Sequence, residues 1–529
     1  MLELNKDVIF LILEELKDDQ KSLYSCLLIN KTWCETTVPI LWKISGLHYP
    51  NDSNTKIKLL NVILLHLSEE SRNTLKVQGI EFLITKKYQR PTFNYISYWR
   101  YLNLYLLEEM LNVFVSLKTI ERSQLSIVRE EILKLFINKN TKFIDLYIPQ
   151  RFDYQIYLIS GAEHCFSELD SLRCDANIDQ DILKGLSKIS KSIKRLRFDN
   201  IMQYNDHNKN TGIISLIETQ ENLKDICFNC YSNIRDKSYC MSLEESLTIN
   251  AKNIQHLKLD WAPTTDTLSY LVNLTSLDIN LSLINFSLMK LPHYTNWNHL
   301  KSASLPALKI LRTQQVPSKI LANLIENTKG ELTEISICYE GVDNKKLIQS
   351  IYQNCPKLKY LKLSFINNDI SELEKLLIKC QYLNGLVVII FENEPDWDNL
   401  FKIFVRSSPI SLYKFKFSSF RTLKLETLKF FFDNWKTRHP ILLQTNSLYS
   451  LYNTNTEKQQ QINDLVKRYK TKGIVKTRSY KSAGVEVNKI EKKKLSINYI
   501  SSRKSINDIK LIEFTLILRW KGKASIKKN

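Results

Sequence analysis

The feature that most limits what this chain can fold into is a six-residue phrase, apolar-x-x-apolar-x-apolar, that recurs through its middle. It reads "LDSLRC" from Leu169, "IKRLRF" from Ile193, "LKDICF" from Leu223, "IQHLKL" from Ile254 and "LTSLDI" from Leu274. It returns as "LTEISI" from Leu332, "LKYLKL" from Leu358, "LNGLVV" from Leu383 and "LYKFKF" from Leu412. A shifted copy is "FIDLYI" (Phe143, Leu146, Ile148), and a degraded one lies in "LPALKIL" (Leu305–Leu311). Successive starts are 24, 30, 31 and 20 residues apart between 169 and 274, and 26, 25 and 29 apart between 332 and 412. The closing apolar-x-apolar step has the period of a half-buried strand. Helical spacing fills the intervals, as in Ile370, Leu373, Leu376 and Leu377, in Leu347, Ile348 and Ile351, and in Ile320, Leu321, Leu324 and Ile325. Ser371 and Glu374 match S-x-x-E, the pattern of a capping box. One strand plus one helix cannot bury its own apolar faces, so the copies must stack. The expected fold class is α/β, an array with a parallel strand ladder on its inner curve. An all-helical array carrying chance copies of the phrase is the competing reading.

The intervals centre on the 20–29 residues of leucine-rich repeats. "CPKLKYLKL" and "CQYLNGLVV" place Cys355 and Cys380 three residues before the first leucine, which resembles the cysteine-containing leucine-rich repeat. The Asn or Cys usual three residues after the phrase is absent from the positions that hold Ile201, Tyr231, Ala262, Glu340 and Phe391. That asparagine would bond the backbone of the next turn. Without it the solenoid, expected over 141–475, should be irregular.

The amino end reads differently. "LELNKDVIFLILEEL" has helical phasing, but Val8, Ile12 and Leu16, then Ile9, Leu13 and Leu16, form two apolar stripes where a surface helix needs one. Asn5 can cap this helix, and Asp18 or Asp19 can cap the next, which carries Leu23, Cys26, Leu27 and Leu28. Asn30, then Trp33 and Leu41-Trp42, follow. A unit of about 40 residues seldom buries enough surface to stand alone. The order Leu4, Val8–Ile9, Ile12, Leu16, Leu23, Cys26–Leu28, Asn30-Lys31-x-Trp33, Leu41-Trp42 over residues 2–43 resembles an F-box, with Leu4-Asn5 where F-boxes usually begin Leu-Pro. The resemblance implies three packed helices that bind the Skp adaptor of a cullin–RING (SCF-type) ubiquitin ligase. The implied adaptor-binding residues are Leu4, Val8, Ile9, Ile12, Leu16, Leu23, Leu27, Leu28, Trp33, Leu41 and Trp42. A plain helical cap on the larger domain is the alternative. Residues 44–140 read as a helical linker, with Leu60, Ile63, Leu64 and Leu67, then Leu104, Leu107 and Leu111.

Composition narrows the chemistry. Only 11 of 529 residues are glycine, against a usual ~7%, and there is no GxGxxG or GxxxxGK[ST] loop to cradle a phosphate. No serine elbow, HExxH or nucleophile–base–carboxylate set is present, so the chain is not expected to be an enzyme or to need a cofactor. "CFNC" (Cys227–Cys230), with Cys240 and His207 nearby, could be drawn as a zinc site, but zinc takes four ligands, often as two close pairs, and only one pair exists. Ordinary solenoid cysteines are the expected reading. Ten scattered cysteines suit a reducing compartment, cytoplasmic or nuclear, and neither a secretory signal nor an apolar run of membrane-spanning length is expected.

The net charge of +20 is uneven. Residues 441–529 hold 20 Lys+Arg and 6 Asp+Glu, leaving the other 440 residues only +6. The tail 481–529 reads as basic and disordered, and it raises a third reading, a nucleic-acid binder. Within the phrases, the residues between the buried ones should face outward. Arg195, Arg197, His256, Lys258, Tyr360, Lys362, Lys414 and Lys416 are the candidate contacts to a client protein, interspersed with Asp225, Asp260, Asp278 and Glu334. A mixed lining suits a protein better than a nucleic-acid backbone. Together these expectations describe a substrate-recognition subunit, with a leucine-rich scaffold without ligase role as the alternative.

Overall fold

The computed structural model describes residues 4–43, 52–80, 91–116, 121–201, 211–230, 237–281, 296–328, 330–338, 344–390, 396–419, 423–436, 438–447 and 456–476. The basic tail 481–529 lies outside them. The chain divides into two compact units near residue 193, with 219–221 belonging to the first.

The first unit opens with α1 (Lys6–Glu15), α2 (Gln20–Cys26) and α3 (Lys31–Lys43). Each start has a side-chain cap. The Asp7 amide donates to Asn5 Oδ1 at 3.2 Å, the Ser22 amide to Asp19 Oδ1 at 3.3 Å, and the Trp33 amide to Asn30 Oδ1 at 3.0 Å. Such caps satisfy amides that the helix leaves orphaned. Ile9, Leu13, Leu23, Cys26 and Ile40 form the buried centre, and Leu16, Trp33 and Leu41 pack against it. Then come α4 (Ser53–Leu64), α5 (Glu69–Val77), β1 (Tyr101–Asn103), α6 (Leu104–Ser116), α7 (Arg122–Phe136), β2 (Asp145–Ile148), α8 (Ala162–Phe166), β3 (Ser171–Asp175) and α9 (Gln180–Ile189). β1, β2 and β3 pair in parallel, in chain order.

The ladder therefore starts at Tyr101, inside the stretch expected to be a helical linker. Tyr101–Asn103 runs straight into α6, whose helical apolar spacing conceals the strand. Asn103 marks the junction, its Oδ1 accepting from the Leu106 amide at 3.0 Å.

The second unit is a single repeated motif. Its strands are β4 (Arg195–Asp199), β5 (Asp225–Phe228), β6 (His256–Leu259), β7 (Ser276–Asn280), β8 (Ile310–Gln314), β9 (Glu334–Cys338), β10 (Tyr360–Phe365), β11 (Gly385–Ile390), β12 (Lys414–Ser419), β13 (Ile441–Ser447) and β14 (Val475–Lys476). All pair in parallel with their chain neighbours. Between them lie α10 (Thr211–Glu218), α11 (Lys237–Ser246), α12 (Asn298–Ser302), α13 (Ser318–Asn327), α14 (Lys345–Asn354), α15 (Ile370–Lys379), α16 (Trp397–Ser407), α17 (Leu425–Asp433) and α18 (Thr456–Thr471), with 3-10 turns between β5 and β7. The fold is an α/β repeat array, which excludes the all-helical reading. All the recurrent phrases, the degraded one included, end in strands.

Three local expectations change. α15 begins at Ile370, so Ser371 lies inside it, and Glu374 accepts instead from Arg406 Nη2 and Ser407 Oγ, both at 2.6 Å. β13 was not marked by a phrase. And although the usual asparagine is missing where Ile201, Tyr231, Ala262, Glu340 and Phe391 stand, a buried amide links turns elsewhere: Asn344 accepts from the Ser318 hydroxyl and donates to the Ser364 carbonyl at 2.6 Å.

Aromatic rings fill the late core. Phe401 and Phe431 lie 4.9 Å apart, Phe404 and Phe415 5.4 Å, and Phe431 and Trp435 5.1 Å. Cys355 and Cys380 are both fully buried, and burial pushes both thiols up, Cys380 to about 12. A thiolate is the reactive form. Brief N-ethylmaleimide treatment of the native protein should leave both unmodified by peptide mass spectrometry, and both should label after denaturation. Among the described residues no helix is long and apolar enough to cross a membrane.

Candidate functional site

Two surfaces, one in each unit, carry the residues singled out from the sequence. The first is on the opening helices. The turns of α1 resolve its two apolar stripes. Ile9 and Leu13 point inward to meet Leu23, Cys26 and Ile40. On α1, Val8, Leu11 and Ile12 fall at i, i+3 and i+4, one face of the helix, and all are exposed, Leu11 by 65% and Val8 by 42%, as is Leu4 just before the Asn5 cap. Phe10 is exposed on another side of α1, and Leu28 and Ile29 are exposed in the turn after α2.

The eleven residues expected to bind an adaptor thus separate by position. Leu4, Val8, Ile12 and Leu28 are open to contact. Ile9 and Leu23 are interior and hold the helices together. Leu16, Leu27, Trp33 and Leu41 are half-buried, and Trp42 stacks on Tyr95 with ring centroids 4.5 Å apart. That stack, with the Arg100 amide donating to the Lys43 carbonyl at 3.4 Å, ties α3 to the start of the ladder within this unit. Phe10, Leu11 and Ile29 were not among the eleven. Their apolar character is visible in the sequence, but which stripe faces in is decided by the packing of α3.

The second surface is the strand-side face of the second unit. Strand alternation buries the phrase leucines and turns the intervening residues outward, so the eight client-facing candidates fall on two rungs. One rung runs Arg195, Asp225, His256, Ser276, Ile310, Glu334, Tyr360, Gly385, Lys414, Leu442 and Lys476. The other runs Arg197, Cys227, Lys258, Asp278, Arg312, Ser336, Lys362, Val387, Lys416 and Gln444.

From β4 to β9 this face neutralises its own charge. Arg197 Nε donates to Asp199 Oδ1 at 3.1 Å, and Asn229 Nδ2 donates to the same oxygen at 2.6 Å. Lys258 Nζ donates to Asn229 Oδ1 at 2.7 Å and lies 3.4 Å from Asp260. Arg312 grips Glu334 Oε1 through Nε at 3.1 Å and Nη2 at 2.9 Å. Burial holds the Asp260 carboxyl above its usual range despite Lys258 beside it. Charges committed this way are partly desolvated and already satisfied.

Cys227 and Cys230 belong to this network. Cys227 donates to Asn229 Oδ1 at 3.3 Å and Cys230 to the Ile201 carbonyl at 2.8 Å, and burial pushes the Cys227 thiol up to about 12. Among the described residues no group of three His, Cys, Asp or Glu could hold a metal ion.

From β10 to β14 the pattern changes. The outward positions hold Lys362, Lys414, Lys416 and Lys476 and no carboxylate among the described residues. Gly385 lies between Tyr360 and Lys414, and a Cβ there would stand 2.9 Å from the Tyr360 ring. The missing side chain is what lets that ring lie over β11. No model of a known protein family matches this chain, and no curated protein matches it either.

Proposed function

We propose that this chain is the substrate-recognition subunit of an SCF-type ubiquitin ligase. In this reading residues 2–43 are an F-box that docks a Skp-type adaptor, and a leucine-rich-repeat solenoid holds a client protein on its strand-side face. The chain performs no bond chemistry of its own. It contributes proximity, bringing a client near a thioester carried by other subunits.

The observation that supports this best is the exposed face Val8, Leu11 and Ile12, with Leu4 just before it, on a helical unit whose own interior is already filled. Contiguous exposed apolar residues of this kind mark protein-binding surfaces. Burying each such side chain is worth about 1.5–3 kcal/mol, so a partner covering several would bind firmly.

The test is co-purification of the full chain with a Skp-type adaptor, beside the double variant Val8→Ser/Leu11→Ser. Capture should fall at least tenfold while the circular dichroism melt stays unchanged. Undiminished capture by the variant, or no capture by the wild type in low salt, overturns the reading.

A further inference from the structure

We infer that the edge of the second unit where short turns feed the strands docks on an anionic lipid surface, its apolar side chains entering the interface and its lysines meeting the headgroups. This edge shares no residue with the adaptor and client surfaces proposed above.

Among the described residues the second unit exposes eight large apolar side chains. The two least exposed, Met241 and Phe430, lie within α11 and α17. The other six are Ile249, Tyr270, Val272, Ile378, Tyr382 and Ile410, and all six stand at one edge. Val272, Tyr382 and Ile410 lie in the turns before β7, β11 and β12. Ile249, Tyr270 and Ile378 occupy the last two positions of the 3-10 turns Leu247–Asn250 and Asp266–Tyr270 and of α15, each of which leads into such a turn. Lone exposed apolar residues are ordinary, but a gathered set marks an interaction surface.

Backbone bonds hold the turns side by side at one level. The Thr275 amide donates to the Gln255 carbonyl at 2.8 Å, Lys309 to Thr275 at 2.9 Å, Thr333 to Lys309 at 2.8 Å, Lys359 to Thr333 at 2.8 Å, Asn384 to Lys359 at 2.9 Å and Tyr413 to Asn384 at 3.3 Å. Side chains lock neighbouring turns as well. Asn273 Nδ2 donates to the Lys252 carbonyl at 2.8 Å, and the Ser411 hydroxyl donates to the Gln381 carbonyl at 2.7 Å and the Leu383 carbonyl at 2.8 Å. The edge is therefore preformed, and docking need not order it. Its apolar residues form two clusters five strands apart, about 24 Å at the usual strand spacing.

Charge names the occupant. In the turns before β6 to β13 the described residues include Lys252, Lys309, Lys357, Lys359, Lys436 and Arg438 and a single carboxylate, Glu331, which pairs with Lys357 at 2.7 Å. The helix ends leading into these turns add Lys301, Lys379 and Arg406 against Glu326 and Asp433. An anionic leaflet attracts such cations. It also takes apolar side chains into its interface, where tyrosine is favoured and lysine stems reach back to the headgroups. A peptide helix is instead received in an apolar groove, whereas these side chains protrude, Ile410 by 77% and Tyr382 by 65%. A nucleic-acid backbone matches the cations but offers Val272, Ile378 and Ile410 no apolar phase.

The test is sedimentation of the full chain with large unilamellar vesicles, either phosphatidylcholine alone or phosphatidylcholine with about 30% phosphatidylserine, at 50 and 150 mM salt. Variants are Tyr382→Ser/Ile410→Ser, Lys359→Gln/Lys379→Gln, and the control Val77→Ser/Met241→Ser, whose apolar side chains are exposed on α5 and α11. Anionic vesicles should bind at least tenfold more tightly than neutral ones, and less tightly at the higher salt. Each edge variant should lose at least fivefold, with the control unchanged. All variants should melt with the wild type, because the side chains changed are exposed. Residues 481–529 are also basic and are kept in every variant, so wild-type binding by either edge variant assigns the attraction elsewhere and overturns the inference. Equal binding of neutral vesicles, or an equal loss in the control, overturns it too. So does an absence of vesicle binding by the wild type, which would leave this edge to a protein partner.

Discussion

Leu13→Ala should cost about 2–5 kcal/mol, the range for emptying a fully buried leucine site, and should take adaptor capture down with it. Leu13 is completely enclosed between α1, α2 and α3, touching a centre of only a few large side chains. So small a core has little redundancy, and the cavity cannot be refilled by shifting neighbours. Leu11, two residues away and 65% exposed, provides the contrast. Leu11→Ala should change stability by no more than about 0.5 kcal/mol while still weakening adaptor capture. Hydrogen exchange of the α1–α3 amides separates the two. It should accelerate at least tenfold in Leu13→Ala and stay unchanged in Leu11→Ala. Equal exchange in both would mean that these helices do not depend on the centre described.

Glu244→Ala should be comparably damaging, about 3–5 kcal/mol, through polar rather than apolar loss. Glu244, on α11, is buried. Its carboxylate gathers the loop after β6, accepting from Trp261 Nε1 at 2.7 Å, from the Thr264 amide at 2.9 Å, from the Thr265 amide at 2.9 Å and from the Thr265 hydroxyl at 2.7 Å. Alanine leaves the buried Trp261 indole and the half-buried Thr264 and Thr265 amides without that acceptor, and each charge-assisted bond is worth about 1.5–3 kcal/mol. Glu244→Gln should cost less, because its one remaining oxygen still accepts while its amide group opposes the donors. In a repeat array each unit leans on its neighbours, so exchange should quicken first at Thr264 and Thr265 and then along β5, β6 and β7. Protection unchanged at those amides would refute the assignment.

Much of the array was legible because a strand phrase and a helix phrase use different apolar periods, 2 and 3.6, and this chain keeps them apart. The failures have local causes. β13 aligns with β12 by pairing Leu443 with Phe415 and Thr445 with Phe417. By the same offset Pro440 takes the first leucine's place and Thr445 the last, so the phrase is reduced to one apolar residue in three. β1 is only three residues long and has no loop before α6. At the amino end the sequence shows too many apolar residues but not which of them face in. That depends on Ile40 and Trp33 arriving from α3, a tertiary event. The charge pairing of the strand face was equally hidden, because Arg312 meets Glu334 only once β8 and β9 lie side by side. The self-neutralised charges of the early strands therefore emerge only from the register.

Within each unit the described strands lie in chain order, each beside the one before it. Within a unit each later strand finds its template among residues made a few tens of positions earlier, so closing each pairing requires only a modest loop. During synthesis the growing end can add one turn at a time onto a finished edge as it leaves the ribosome, needing nothing that has not yet been translated. Such a chain can assemble as a zipper closes, from the first tooth to the last.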